Sequence, residues 1–280
     1  MSDPNAAYRL WDYVPSVAAG AVAAGVFGVF MIAHIIFLFK KRTYFCIPLA
    51  IGAFFETVGY GARAYAHYSV NSTIAYAVQS LFILLAPILF AASVYMYLGR
   101  IITAIDGEEY CFIRPKLLTK IFVSGDIFCF LVQGSGGGLM SGAKSTSRLH
   151  LGENVILAGL VLQIVIFLFF CMIALTFHIR MRQNYTPKTI DGTIPWQRLL
   201  LGLYFVSVLI TLRNVVRAIE YGMGQDGYFL ENEWTTYVFD GAPMAMVLAT
   251  CMMWYNSGVG GRRRPHNLEG LSAIPLESRK

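Results

Sequence analysis

The chain has 280 residues, 56% hydrophobic and 14% charged, with a net charge of +6 and a mean hydropathy of +0.57. That balance is too apolar for an ordinary water-soluble domain, and the apolar runs are long enough to cross a bilayer, which takes about 20 residues each. The positive charge is no nucleic-acid footprint, because the basic residues gather between the apolar segments, where membrane topology accounts for them.

Residues 1–15 contain no basic stretch ahead of the first apolar run. The first span is therefore expected to act as its own insertion signal rather than as a cleaved leader. It is predicted over 16–39, with Pro15 and Ser16 suiting its start. The second, 44–67, begins near Pro48, which a first turn tolerates. It carries Glu56 and Arg63 seven residues apart, close to two turns, so both lie on one face with Gly59 and Tyr60 between them. A lipid-facing charge near the bilayer centre costs about 3 kcal/mol on the gentlest scale, so this face must look into protein or water. The third helix, 74–104, holds Pro87 in mid-span, which predicts a kink.

The fourth helix, 117–140, carries Asp126, Gln133 and Gly137 on one face. Four glycines fall in the five residues Gly134 to Gly138 and are expected to loosen or break it. Broken backbone at this depth is tolerated only where it is buried in protein or lines a cavity, and there it could present backbone groups to a polar headgroup. The alternative is close helix packing through small residues. Neither a dinucleotide fingerprint nor a Walker sequence is present, so nothing points to ATP hydrolysis.

The fifth helix is predicted over 154–178. The sixth, 198–220, carries Arg213, Arg217 and Glu220 at spacings of four and three, again one face. The seventh, 235–256, is entered through Glu233, Tyr237 and Asp240 at four and three. Residues 257–280 are Gly/Arg-rich and expected to be disordered, with Arg262-Arg263-Arg264 fixing topology or touching anionic lipid. The whole is an all-α, seven-helix membrane protein with an N-terminal segment 1–15, a membrane domain 16–256 and a tail 257–280.

Sixteen basic residues fall in loops and helix ends on one side and three, Arg9, Lys144 and Arg148, on the other. That asymmetry predicts an outside N-terminus and a cytoplasmic C-terminus. In that orientation the stripes on helices two, six and seven share the outer half of the membrane. The expected arrangement is one polar cavity opening outward, with arginines bridging acids on neighbouring helices. Asp126 lies deeper. It has no arginine on its own helix, which makes it a candidate for proton exchange. The sequon at Asn71 falls in a short outer loop. The five cysteines show no paired or zinc-type spacing, and His34, His67, His150, His178 and His266 are read as interfacial, loop or tail residues. No metal, cofactor or disulfide is expected.

Taken together, Glu56-x-x-Gly59-Tyr60-x-x-Arg63, Ala86-Pro87 with Tyr95 and Leu98-Gly99-Arg100, Asp126 with Gln133 and the glycine run, Arg213, Arg217 and Glu220, and Glu233, Tyr237 and Asp240 stand in the order seen in a known family. The chain resembles the fungal lipid-translocating exporters, seven-helix proteins of the sphingoid long-chain-base-exporter and aminocholesterol-resistance type. After the last helix, where the family usually has a His-Pro-Gly-like turn, this chain has Tyr255-Asn256-Ser257-Gly258.

The resemblance implies export of a lipid or amphiphile, such as a sphingoid base, a sterol-like compound or a drug-like cation, from a multi-pass protein of the plasma membrane that is not an enzyme. The substrate path is expected to involve Glu56, Tyr60, Arg63, Asp126, Gln133, Arg213, Arg217, Glu220, Tyr237 and Asp240. The alternative is a seven-helix receptor or sensor of lipid or membrane stress. Helix seven has no lysine for a retinal Schiff base, and the usual receptor signatures are missing. A membrane hydrolase is a third reading, which the scattered histidines disfavour.

Overall fold

A computed structural model of the chain describes residues 15–68, 73–141, 145–184, 186–190, 194–223 and 233–259. Asn71, most of the N-terminal segment and most of the tail lie outside the described residues. Among the described residues, seven helices are long and apolar enough to cross a membrane. They are α1 (Val17–Lys41), α2 (Ile47–Ala66), α3 (Thr73–Ala104), α4 (Pro115–Ser141), α5 (Thr146–Gln183), α6 (Trp196–Met223) and the composite span α7 (Glu233–Asn256). Each packs on the next in sequence, and α7 closes back on α1. α3 also touches α5 and α6, and it is the most enclosed span, whereas α1 is the most exposed. Val22, Val29 and Phe39 of α1 point outward, as suits a helix facing lipid tails.

Close approach between helices relies on small residues, as expected where lipid is as apolar as the side chains. A Cβ on Gly20 would lie 3.0 Å from the Ala64 Cβ, which locks α1 to α2. The glycine run of α4 does not break the helix, contrary to one expectation. It stays helical to Ser141, and Gly136 sits so close to α5 that an added Cβ would lie 2.8 Å from the Gly152 carbonyl oxygen. Gly152 in turn faces the Gly136 carbonyl. The run is a packing seam, because the energy gained from close contact offsets the weak helix propensity of glycine.

α5 is much longer than the predicted 154–178. Its 38 residues at about 1.5 Å each give about 57 Å, against a hydrocarbon core of about 30 Å. Arg148, His150 and Glu153 at one end and Arg180 and Arg182 at the other continue the helix into polar surroundings. The His150 Nδ1 and Glu153 Oε2 are 3.1 Å apart.

Two prolines shape the helices that line the charged interior. α3 runs through Pro87 without interruption, but proline has no N–H to donate to the carbonyl four residues earlier, which is that of Ile83. In α7, Pro243 follows a π-helical turn over Thr236–Gly241. Such single wide turns are rare and often mark functional sites. At the end remote from Pro15, Thr186 donates to the Ile105 carbonyl at 2.8 Å, and Lys188 pairs with Asp106, which is in the left-handed region (φ 51–52° is shared by Arg42 and Asp106). Gly258, at φ +71°, supplies the turn after α7.

Candidate functional site

The charged side chains of α2, α6 and α7 meet in one cluster. Arg213 and Arg217 are one turn apart on α6, and both reach Asp240, which the wide turn of α7 directs inward. The Arg213 Nε donates to Oδ1 of Asp240, and the Arg217 Nη2 donates to Oδ2 at 2.7 Å. Arg213 is only 1% exposed. Its Nη2 donates to the Ile83 carbonyl at 2.9 Å, the acceptor that Pro87 leaves open, and its Nη1 reaches the Asn214 Oδ1 at 3.4 Å. Arg217 also donates to Glu220 at 3.0 and 3.2 Å. A pocket of about 240 Å³, including its open mouth, lies beside Arg213, Arg217, Glu220, Thr235 and Asp240.

A second group of contacts joins α2 to the start of α7 and of α1. The Arg63 Nε donates to the Tyr237 hydroxyl at 3.2 Å and lies 3.6 Å from Oε1 of Glu233. The Tyr237 hydroxyl donates to the same Oε1 at 3.1 Å. Glu233 also accepts from the Ser16 amide at 2.9 and 3.0 Å, one of the amides that the first turn of a helix leaves without an internal partner. The rings of Phe27, Tyr60 and Tyr237 stack in series, with centroids 5.4 and 5.7 Å apart.

Glu56 and Tyr60 sit at the inner edge of this cluster, both fully buried. Neither carboxyl oxygen of Glu56 and not the Tyr60 hydroxyl has a hydrogen-bond partner among the described residues. Arg213, Arg217 and Asp240 are the charges that act on Glu56. Gly241 lets the Tyr60 ring in, since an added Cβ would lie 2.9 Å from the hydroxyl oxygen.

Eight of the ten residues expected on the substrate path are therefore brought together: Glu56, Tyr60, Arg63, Arg213, Arg217, Glu220, Tyr237 and Asp240. Asp126 and Gln133 are not. The Tyr95 hydroxyl of α3 donates to Oδ2 of Asp126 at 2.9 Å, and the Gln133 Nε2 donates to Gln163 of α5 at 2.8 Å. Their side of α4 faces α3 and α5, so the expected single polar interior is two separate ones, and among the described residues Asp126 makes no ion pair with α6. Nor is the charged cluster an open cavity. Arginines and acids fill the space by closing on one another, and much of the pocket beside them is open to its mouth. His34, expected at an interface, is fully buried, with Nδ1 3.0 Å from the Tyr255 hydroxyl and Nε2 3.2 Å from the Leu248 carbonyl. The carbonyl only accepts, so Nε2 carries the proton and Nδ1 accepts from Tyr255.

Sequence reasoning left several participants out of the expected path. Glu233 was visible in the spacing of its stripe, and Gln163 as a polar residue within an apolar span. The Ile83 carbonyl could have been located by counting four back from Pro87. The wide turn of α7 had no sequence signal beyond Pro243.

Comparison with known proteins gives a consistent picture. The profile of the family described as "RTA1 like protein" matches residues 49–261. Protein RTA1 of Saccharomyces cerevisiae is 32% identical over 267 residues, covering 86% of this chain and 83% of that protein. Protoporphyrin uptake protein 1 of the same organism is 36% identical over 202 residues, 72% of this chain, and the match spans only 65% of that relative's length. The sphingoid long-chain base transporter RSB1 of Saccharomyces cerevisiae is 23% identical over 275 residues, 86% of this chain and 72% of the transporter. No solved structure matches the chain significantly. This multi-pass membrane protein belongs to the RTA1-like family.

Proposed function

We propose that the protein is a translocator of lipids or other amphiphiles, exporting them across the plasma membrane without catalysing a covalent reaction and so conferring resistance to toxic amphiphiles. The observation that carries this reading is the buried charge cluster of α2, α6 and α7. Three arginines and three paired acids at membrane depth are costly for a structure that needs only to be stable, since apolar packing usually serves stability as well or better. Intramembrane ionisable groups mark substrate and ion pathways. The names of two relatives, a sphingoid long-chain base transporter and a protoporphyrin uptake protein, support transport of amphiphiles with ionisable heads.

In this reading Glu56, Tyr60, Arg63, Arg213, Arg217, Glu220, Tyr237 and Asp240 line the path of the polar headgroup, while the hydrocarbon tail stays among apolar side chains or in lipid. The packing is that of a closed state. A headgroup reaches the cluster once α7 moves relative to α2 and α6, with the wide turn at Thr236–Gly241 as the yielding element. Asp126 and Gln133 form a second polar seam that couples α4 to α3 and α5 during that motion. Purified protein in liposomes should accelerate the crossing of a labelled sphingoid base over the protein-free rate. An unchanged rate in vesicles carrying folded protein would defeat the proposal, and binding without crossing would favour a sensor.

A further inference from the structure

We infer that Glu56 is an exchange site for a single positive charge, holding a proton in the closed packing and trading it for the ammonium head of a cationic amphiphile. The inference rests on the transport reading and adds to it the charge of the substrate and the source of coupling.

Glu56 is fully buried, and neither of its oxygens finds a donor among the described residues. The other acids of the cluster are engaged: Asp240 by Arg213 and Arg217, Glu220 by Arg217, and Glu233 by Ser16 and Tyr237 with Arg63 alongside. The arginines are thus matched without Glu56. A carboxylate stripped of both water and donors is strongly disfavoured; a bound proton relieves that cost by removing the charge, and an organic cation relieves it by pairing with the charge. The charged groups facing it make no hydrogen bond to it among the described residues, and the pull of Arg213 and Arg217 is opposed by the charge of Asp240 that they grip. Its own helix offers Tyr60 and, two turns on, Arg63; α6 offers Arg213 and Arg217, and α7 offers Asp240 and Tyr237. On the flanks, α1 and α3 bring the apolar side chains of Phe27 and Ile83 against this part of α2.

The geometry also supplies a receptor for more than a proton. Tyr60 lies one turn from Glu56 on the same face, and its hydroxyl has no partner among the described residues. That hydroxyl is held against Gly241, at the end of the wide turn that carries Asp240. A shift of this turn therefore opens space at Tyr60 and Glu56 together. The exchange is balanced: the carboxyl O–H bond breaks, the proton leaves to water, and the organic cation takes its place beside the carboxylate. No net charge enters the cluster.

The test uses a permanent cation, dodecyltrimethylammonium, which carries no proton of its own. It is added to the protein in weakly buffered lipid nanodiscs with a pH-indicating dye, and binding is followed separately by thermal shift. The wild type and Glu56→Asp should release a proton for each cation bound, whereas Glu56→Gln should release none. Undiminished release from Glu56→Gln overturns the inference, as does binding to the wild type without release, or no binding at all. So does loss of release in Asp126→Asn alone, which would assign the proton to the other polar seam.

Because Glu56→Gln could fail to fold, a second experiment needs only the wild type. Dicyclohexylcarbodiimide takes the proton of a carboxyl group in an apolar setting on its nitrogen and is then attacked at its central carbon by the carboxylate oxygen; peptide mapping should find this adduct on Glu56, and the cation should protect against it. Absence of that adduct overturns the inference. Transport of the sphingoid base without proton release sinks the exchange site alone. Proton release without transport leaves the site standing and sinks the carrier.

Discussion

Arg213 and Arg217 grip opposite oxygens of one carboxylate, that of Asp240. The arrangement fastens α6 to α7 at the point where α7 widens, and the Ile83 carbonyl ties α3 into the same knot. Asp240→Asn should therefore strand two arginines. Removing one partner of a buried pair costs about 3–5 kcal/mol, so the melting temperature in detergent should fall clearly. Asp240→Leu combined with Arg213→Leu should lose less than the sum of the single changes. Strict additivity would mean that the two groups are not in contact.

Glu233 links three helix ends, through Ser16 of the α1 start, Tyr237 of α7 and Arg63 of α2. Glu233→Ala should free the first turn of α1, seen as faster amide exchange at residues 16–20. Hydrogen bonds to a charged group contribute about 1.5–3 kcal/mol each, so Arg63→Gln should lower thermal stability as well. Unchanged exchange at the α1 start in Glu233→Ala would show that Ser16 is held by something else.

The glycines of α4 separate into two kinds. A Cβ at Gly136 meets the α5 backbone at 2.8 Å, whereas one at Gly138 meets nothing within 4 Å. Gly136→Val should push α4 from α5 and destabilise the protein. Gly138→Ala should be neutral or stabilising by up to about 1 kcal/mol, the helix-propensity difference. Equal effects from the two would contradict the packing seam. The pair can be compared by thermal unfolding in one detergent.

Much of this architecture was legible in the sequence. Seven apolar runs gave seven spans, because backbone polar groups in lipid leave the chain few choices. The four-and-three spacing of Arg213, Arg217 and Glu220, and the seven-residue spacing of Glu56 and Arg63, placed each stripe on one face. What periodicity lacks is the direction in which a face points once the bundle is packed. Asp126 and Gln133 looked like members of the same interior, but α4 turns them toward Tyr95 and Gln163. The length of α5 was missed because charged residues near Arg148 and Arg182 end an apolar run without ending a helix. The glycine run was misjudged in one of its two readings, since helix propensity says nothing about the neighbour that a missing Cβ admits. His34 was buried by a partner, Tyr255, more than two hundred residues away in sequence.

The excess of sixteen basic residues over three leads to the prediction that the N-terminus lies outside. A tag at the C-terminus should resist protease added to intact cells and be cleaved only after permeabilisation. Cleavage in intact cells would invert the assignment and place the Glu233 end of the bundle at the cytoplasmic face.

The most direct test of the central claim, that the headgroup passes through the cluster of α2, α6 and α7, is the rate at which a labelled sphingoid base crosses liposomes carrying Glu56→Gln. Wild type and Gly138→Ala, reconstituted at the same density, serve as references, and monodisperse elution establishes that each protein is folded. The expected result is rapid crossing with both references and the protein-free rate with Glu56→Gln. Crossing at the wild-type rate with Glu56→Gln would contradict the account.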